Sequence, residues 1–519
     1  MEKYSKEQLK TLSKDELIDL VVKVQNDNIL MAERIAVLNE HRFGRSSEKL
    51  EYIENQLVFN EVEDTATQEE SEEEPVADEK PEKVSKKTKG KRELDLSKLD
   101  HVVVNHDLTE EQLTEKFGKD GWKQLPDQVY SKVAMHPARY EVIEHHVAVY
   151  AEKNGDKIVK APRPAELIDN SIASPSLVAG IMNGKYTNAL PLYRIEQEMQ
   201  RNGVNISRQT MSNWVITCSE RYLSLIYDEL HKLLLANTVI QADETPCKVL
   251  NDGRESVQNS YMWLYRTGKF QKKKPIILFD YQTTRATEHP IAFLKGFNGY
   301  LECDGYGAYH KIDKDIPGIK VANCWAHARR QYANALKAAK ASDRSDSFAG
   351  KALKMISDVF AAEAKLADMP SGKRLKERRK AVAGYVDAYF NWIKEHQMEV
   401  LPQSETGKGV QYSLNQEKYM RVFLESGDVP IDNSASEVSI RPFTVGRKNW
   451  VMINTINGAK ASAMIYSLVE TAKANSLNPY EYLKHLLTVI PEHMDDKNTD
   501  FIKDLLPWSI NLPNVCYKR

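Results

Sequence analysis

The sequence predicts an α/β (α+β) multidomain protein, and three observations carry that prediction. Residues 236–330 contain apolar runs at 238–243, 260–266, 275–281, 299–303 and 319–323, each of strand length. Segments of helical period follow at 326–341, 346–368 and 372–397. With 519 residues and 41% hydrophobic content, the chain has material for several cores.

Taken in order, residues 1–60 hold a candidate coiled coil. Ser13 and Glu16 have the spacing of a capping box. Leu17, Val21, Val24, Asn28, Met31, Ile35 and Leu38 then alternate at spacings of four and three. A lone Asn at a seam position favours a parallel pair, so the segment is expected to make a homodimer or higher oligomer. The competing reading is an amphipathic helix packed on its own chain. Residues 61–95 are an acidic run followed by KVSKKTKGKRE, a composition too polar to bury a core and read as a disordered linker.

Residues 96–165 alternate apolar and polar positions and contain Asn154-Gly155, a hairpin signal, so a β-rich module is expected. Residues 166–235 read as helical. Within them a helix, a break at Gly203, a cap at Ser207 and a second helix resemble a helix-turn-helix. That reading sets Arg208, Gln209, Ser212 and Asn213 toward a DNA groove. A plain helical hairpin packed on the core fits the same pattern.

Residues 236–330 then provide strand, hairpin, a helix from Arg285 to Phe297, and two further strands. A helical insertion covers 331–428, a second part of the core covers 429–490 with a break at Asn478-Pro479, and a tail covers 491–519.

Charge excludes less than it first suggests. The formal net charge is −2, but residues 61–80 alone hold ten acids and one lysine. Without them the chain has 71 basic and 64 acidic residues. Phosphate binding needs local rather than global positive charge, so nucleic acid stays open as a partner. No apolar run approaches a membrane span, MEKYSKEQLK lacks a signal-peptide core, and five scattered cysteines suit reduced thiols in a bacterial cytoplasm.

Three acids stand out. Asp243 lies in TVIQADETPCKVL, Asp304 in GYLECDGYGAY, and Glu437 in IDNSASEVSIRPFTVGRKNW, 133 residues beyond Asp304. Two carboxylates at strand ends and one on a helix can converge at a sheet edge and hold two divalent ions, as in-line phosphoryl transfer requires. Each also has an ordinary reading. Asp243-Glu244 and Asp304-Gly305 are common turn pairs, and Glu437 can close a capping box with Ser434.

The words ADETP, CDGY, CWAHARR, IDNSASE and RPFTVGRKNW occur in this order, with FGRSSEKL before them and GAKASAMIYSLVETAKANSLNPYEYL after. Together they resemble the transposases of the insertion sequence sixty-six family, of the large-subunit TnpC type. The resemblance implies a ribonuclease-H-like catalytic core. It makes Asp243, Asp304 and Glu437 a DDE triad and the metal ligands, with two Mg²⁺ or Mn²⁺ ions per site. It implies DNA as partner, both the inverted-repeat ends of an element and its target, with small accessory proteins of the element as further candidates.

On that reading Asp243 bridges both metals, while Asp304 and Glu437 hold one each. Water attacks the phosphate at the element end, and the freed 3′-hydroxyl then attacks target DNA. No covalent protein–DNA intermediate is needed.

Around the triad, Glu244 and His327 are expected to support the ligands. Arg441, Arg447, Lys448 and Trp450 form the best basic patch for DNA, since Arg pairs with phosphate and Trp stacks on an unpaired base. Ion pairing and a core Trp are the alternatives. One departure from the family concerns its cysteine-rich zinc module. No cysteine falls between residues 1 and 217, so no zinc is expected. A non-catalytic DNA-binding regulator derived from a transposase is the competing function, and a plain ribonuclease-H-like nuclease a third.

Overall fold

The computed structural model describes residues 13–43, 111, 139–151, 158–160, 165–338 and 345–518. The expected linker, the FGRSSEKL segment and most of the expected β-rich module lie outside them. The chain divides into one unit of Met1–Glu54 with His146–Lys518 and another of Asn55–His145. Everything below concerns the first.

Helix α1 (Lys14–Phe43) opens it. Its start is a reciprocal capping box: the Ser13 N–H donates to Glu16 Oε2 at 2.7 Å and the Glu16 N–H donates to Ser13 Oγ at 3.3 Å. Val21, Val24, Met31 and Ile35, all on the expected seam, are exposed. Strands β1 (Val149–Ala151) and β2 (Ile158–Lys160) pair antiparallel with Tyr150 opposite Val159.

Helices α2 (Pro175–Met182), α3 (Leu192–Arg201), α4 (Arg208–Cys218) and α5 (Ser224–Leu235) follow. Gly203 has φ +82°, the left-handed value that lets the chain turn between α3 and α4. Ser207 Oγ then accepts from the Thr210 N–H and starts α4. Met211, Trp214, Val215 and Cys218 bury one side of α4, while Arg208 and Gln209 stay exposed at its start.

The central sheet is mixed. Its strands are β3 (Val239–Asn251), β4 (Asn259–Thr267), β5 (Ile277–Gln282), β6 (Gly299–Cys303) and β7 (Ile319–Asn323), in spatial order β5-β4-β3-β6-β7. β3, β4 and β5 form an antiparallel meander, and β6 and β7 continue parallel to β3. The connection into β6 carries α6 (Glu288–Phe293), shorter than the helix expected from Arg285 to Phe297. Between β6 and β7 lies α7 (Gly307–Asp315).

β3 runs eight residues further than the apolar run suggests, so Asp243 sits within the strand rather than at its end. The reason is visible in the burial pattern. Thr245, Cys247 and Val249 are buried, whereas Pro246, Lys248 and Leu250 are exposed, which is strand alternation without strand-like hydrophobicity.

After β7 the chain enters helices α8 (Trp325–Ala338), α9 (Phe348–Ala364), α10 (Ser371–Glu377), α11 (Ala383–His396) and α12 (Glu405–Met420). Trp325, Tyr332, Ile356, Tyr389, Phe390 and Phe423 share one core there. The Trp325 indole N–H donates to the Met420 carbonyl at 2.8 Å. α12 was not expected from the sequence. Its Gly409 lets it meet α8 closely, since a Cβ there would lie 2.7 Å from the Tyr332 ring.

Helix α13 (Ser434–Trp450) returns to the sheet, and β8 (Ile453–Thr455) pairs parallel with the far end of β3, Val249 opposite Ile453. Helices α14 (Ile456–Ala474) and α15 (Pro479–Val489) close the unit. α14 covers the sheet edge: Ser467 Oγ and Thr471 Oγ1 accept the Phe279 and Ile277 N–H groups at 2.7 and 3.0 Å. Asn478 caps α15 through Oδ1, directly before Pro479. No helix among the described residues is long and apolar enough to cross a membrane.

Candidate active site

Register brings the first two acids together. β3 and β6 run parallel with Gln241 opposite Glu302. Two residues further along both chains stand Asp243 and Asp304, on the same side as that pair. Beyond Gln241, β3 has no partner on this edge until β8 takes up Val249. Asp243 therefore lies in a gap of the sheet at the carboxyl ends of β6 and β7, where open α/β sheets commonly bind ligands.

Glu437 arrives from the other side of the sequence. Asn433, buried at the start of α13, donates from Nδ2 to the Ala242 carbonyl at 2.7 Å and accepts from Gln241 Nε2 at 3.2 Å. Its own N–H donates to Cys324 Sγ at 3.1 Å. These bonds clamp the helix start against β3 beside Asp243. Glu437 follows one turn later, within the first turn of α13, where the helix dipole favours a carboxylate.

Burial pushes the Asp243 carboxyl well above its ordinary range, and the negative charges of Glu244, Asp304 and Glu437 push it further. All three candidate acids thus share one electrostatic environment. Within this chain a cation already answers part of that charge. Arg330 Nη2, on α8, donates to both Glu437 oxygens at 3.1 Å. His327, one turn earlier, has Nε2 at 3.9 Å from Glu437 Oε1 and 3.4 Å from Arg330 Nη1. Burial and then Arg330 lower the His327 pKa, which keeps the ring neutral at pH 7.

Glu244 is held differently. Its side chain is 2% exposed and ion-paired to Arg285, whose Nε lies 2.8 Å from Oε1. Tyr309 on α7 donates to Oε2 at 2.6 Å. Arg285 stacks over Tyr306 at 3.7 Å, and the Tyr306 N–H donates to Asp304 Oδ1 at 2.9 Å. Glu244 thus belongs to a brace that runs from β3 to the Asp304 turn. Its partner Arg285 carried no signal in the sequence, because neither strand alternation nor a motif marks it.

A hard, all-oxygen set suits Mg²⁺ or Mn²⁺, and the surplus of negative charge at Asp243 is what a divalent cation offsets. Among the described residues, no three His, Cys, Asp or Glu side chains are already closed around one metal-sized point. Cys324 and His327 do not form half of a zinc site here: the Cys324 sulfur accepts the Asn433 N–H, whereas His327 faces Glu437.

Family models match the chain in three blocks. Residues 170–461 match the model described as transposase IS66 family, and residues 467–508 match the IS66 C-terminal element. Residues 30–104 match the model described as transposase C of IS166 homeodomain. The chain belongs to the IS66 transposase family. All three acids fall inside the first block.

Similar proteins of Sinorhizobium fredii include the uncharacterized protein y4qI, 26% identical over 94% of this chain and 90% of its own length. The uncharacterized protein y4jD is 26% identical over 71% of each chain.

The family's expected DNA-contacting residues are spread over two regions. Arg208 and Gln209 are exposed at the start of α4. On α13, Lys448 is exposed, and Arg447 donates to Thr245 Oγ1 at 3.0 Å and to the Pro246 carbonyl. Arg441 is half-buried on the same helix. The Trp450 ring packs edge-on against Phe443, with centroids 5.6 Å apart, so its body joins the core.

Glu302 was not singled out in the sequence. Burial drives its pKa well up, and neither carboxyl oxygen has a hydrogen-bond partner among the described residues. Its place two residues before Asp304, on the same strand face, is the signal that strand parity offered.

Proposed function

We propose that this IS66 family protein is a metal-dependent DDE transposase that cuts DNA at the terminal inverted repeats of an insertion sequence and joins the freed ends to a target. One observation carries the reading: carboxylates from β3, the β6 end and α13 enter one electrostatic environment, two of them through parallel-strand register. The sheet supports a ribonuclease-H-like core, since an antiparallel meander continues through a helix-bearing connection into two parallel strands.

Asp243 would be shared between two Mg²⁺ or Mn²⁺ ions, with Asp304 and Glu437 each holding one. Bound there, the ions would stabilise the attacking and leaving oxygens of in-line phosphoryl transfer. The chain's own groups have separate tasks. Arg330 balances Glu437 and is positioned to pair with a phosphate oxygen once that carboxylate turns to its ligating role. His327 offers a neutral ring beside the same phosphate. The Glu244–Arg285–Tyr309 brace keeps the Asp304 turn against β3.

Two chains would act on two ends, paired through the exposed Val21, Val24, Met31 and Ile35 of α1. Arg208, Gln209, Arg441, Arg447, Lys448 and Trp450 would meet DNA, in the cytoplasm and with small accessory proteins of the element where required.

The test is cleavage and strand transfer on the element's end DNA with Mg²⁺, beside Asp243→Ala, Asp304→Ala and Glu437→Ala. Loss of both activities in all three, with DNA affinity kept, is the expected result. A thermal-shift series reads the metal independently. Wild type should gain about 2.7 kcal/mol at a hundredfold excess of Mn²⁺ over Kd, and Asp243→Asn should gain little. End-specific binding with no metal-dependent cleavage, accessory proteins supplied, would leave a DNA-binding regulator instead.

A further inference from the structure

Leading away from the triad, β3 and α13 diverge around a cavity of about 320 Å³ that none of the functions above uses. Pro246, Cys247 and Lys248 of β3 form one wall, and Arg447, Lys448 and Val451 form the other. The only other lining residue is Asn259, so the lining holds three cations and no acid. Its apolar floor comes from Cys247, Pro246 and Val451. Burial raises the Cys247 thiol to about 12, so it serves as a small apolar surface rather than a nucleophile.

Three features suggest a built site rather than a crease. Lys248 and Lys448 have neither an ion pair nor a hydrogen bond among the described residues, so two like charges flank the opening uncompensated. Arg447 ties the walls together through Thr245 Oγ1 and the Pro246 carbonyl. Val451 ends α13 at φ +61°, a left-handed value that a β-branched residue rarely holds, and it does so on the cavity rim.

The cavity also lies at a meaningful distance. Asp243 to Pro246 and Lys248 spans three to five strand residues, about 10–17 Å. Glu437 to Arg447 spans ten helical residues, about 15 Å. Both elements that carry the triad therefore lead to the cavity. At ~3.4 Å per nucleotide, that is about three to five nucleotides along a DNA strand.

We propose that this cavity receives one unpaired nucleotide of the DNA strand whose scissile phosphate lies at the triad. Lys248 and Lys448 pair with its flanking phosphates, and the base rests on the Pro246–Cys247–Val451 floor. This inference rests on the transposase reading for the path of the strand. The site itself binds a nucleotide whether or not the protein cuts. Holding one base out of its pair a few nucleotides from the cut fixes the strand's register at the carboxylates.

The test uses the full-length protein without added metal and a pentanucleotide with 2-aminopurine at its centre, read by fluorescence and by affinity across salt concentrations. Partners are the same pentanucleotide with a central abasic site, the Lys248→Glu/Lys448→Glu protein, and Lys373→Glu/Lys376→Glu on α10 as a charge control. Melting curves check that each variant folds.

Wild type should show a saturable 2-aminopurine change and bind the abasic strand roughly tenfold more weakly, the size of one lost base contact. Lys248→Glu/Lys448→Glu should abolish the fluorescence change and lower the salt slope by about 1.4, two phosphate contacts of ~0.7 each. The α10 control should keep both.

Equal fluorescence and slope in the cavity variant overturn the proposal, as does equal binding of the abasic strand. Failure of the transposase reading looks different: these signals persist in wild type while end DNA with Mg²⁺ stays uncut.

Discussion

Asn433→Ala tests the geometry most directly, because this side chain alone links β3 to the helix that carries Glu437. It is 1% exposed and makes two side-chain bonds, to the Ala242 carbonyl at 2.7 Å and from Gln241 Nε2 at 3.2 Å. Truncation removes both. A buried group left without its partner costs about 1–3 kcal/mol. Gln241 Nε2 keeps a second acceptor in the Asp432 carbonyl at 3.3 Å, so its share falls at the low end. The expected loss is about 2–4 kcal/mol, read as a shift of the urea midpoint at unchanged slope.

Activity should fall further than stability suggests. A misplacement of about 1 Å can cost on the order of a hundredfold in rate. DNA cleavage should therefore drop at least tenfold, with DNA affinity retained. A midpoint shift below about 0.5 kcal/mol, together with wild-type cleavage, would show that Asn433 does not position the site.

Other predictions address neighbouring features. Gly305→Ala adds a Cβ 2.7 Å from the Tyr412 ring, so the Asp304 turn must shift; cleavage should fall, and Tyr412→Leu should restore part of it. Asp280, half-buried on β5, has its pKa raised to about 6 by burial. A raised folded-state pKa means stability is fully present below the unfolded value and lost as pH climbs through about 6. Asp280→Asn should remove that loss between pH 4 and 6 and melt higher than wild type at pH 8. Val24→Glu with Ile35→Glu on α1 should turn a dimer into a monomer in light scattering while leaving the remaining fold intact. A monomeric wild type at micromolar concentration would refute the pairing.

Local order was the legible part. Hydrophobic alternation located β6 and β7 to the residue, and Ser207 and Asn478 act as the caps their side-chain chemistry suggests. The ordered motifs around Asp243, Asp304 and Glu437 pointed to the family that the comparisons established. The second half of β3 was less legible, because Glu244 to Asn251 is polar every other residue, and only pairing with β4 and β8 makes it a strand. α12 stayed hidden for a similar reason: its two glycines weaken its helical signal, yet packing against Tyr332 requires one of them.

What the sequence determined by itself was which residue types are present and which short segments form, since those follow from side-chain chemistry within a few residues. Only the tertiary structure decided that Gln241 faces Glu302, and therefore that Asp243 stands beside Asp304. It alone decided that Arg285 locks Glu244, that Arg330 holds Glu437, and that Lys248 and Lys448 flank one cavity. Those pairings join residues about 40 to 200 apart, and nothing local encodes them. They arise from strand register and from the burial that forces each polar group to find its partner.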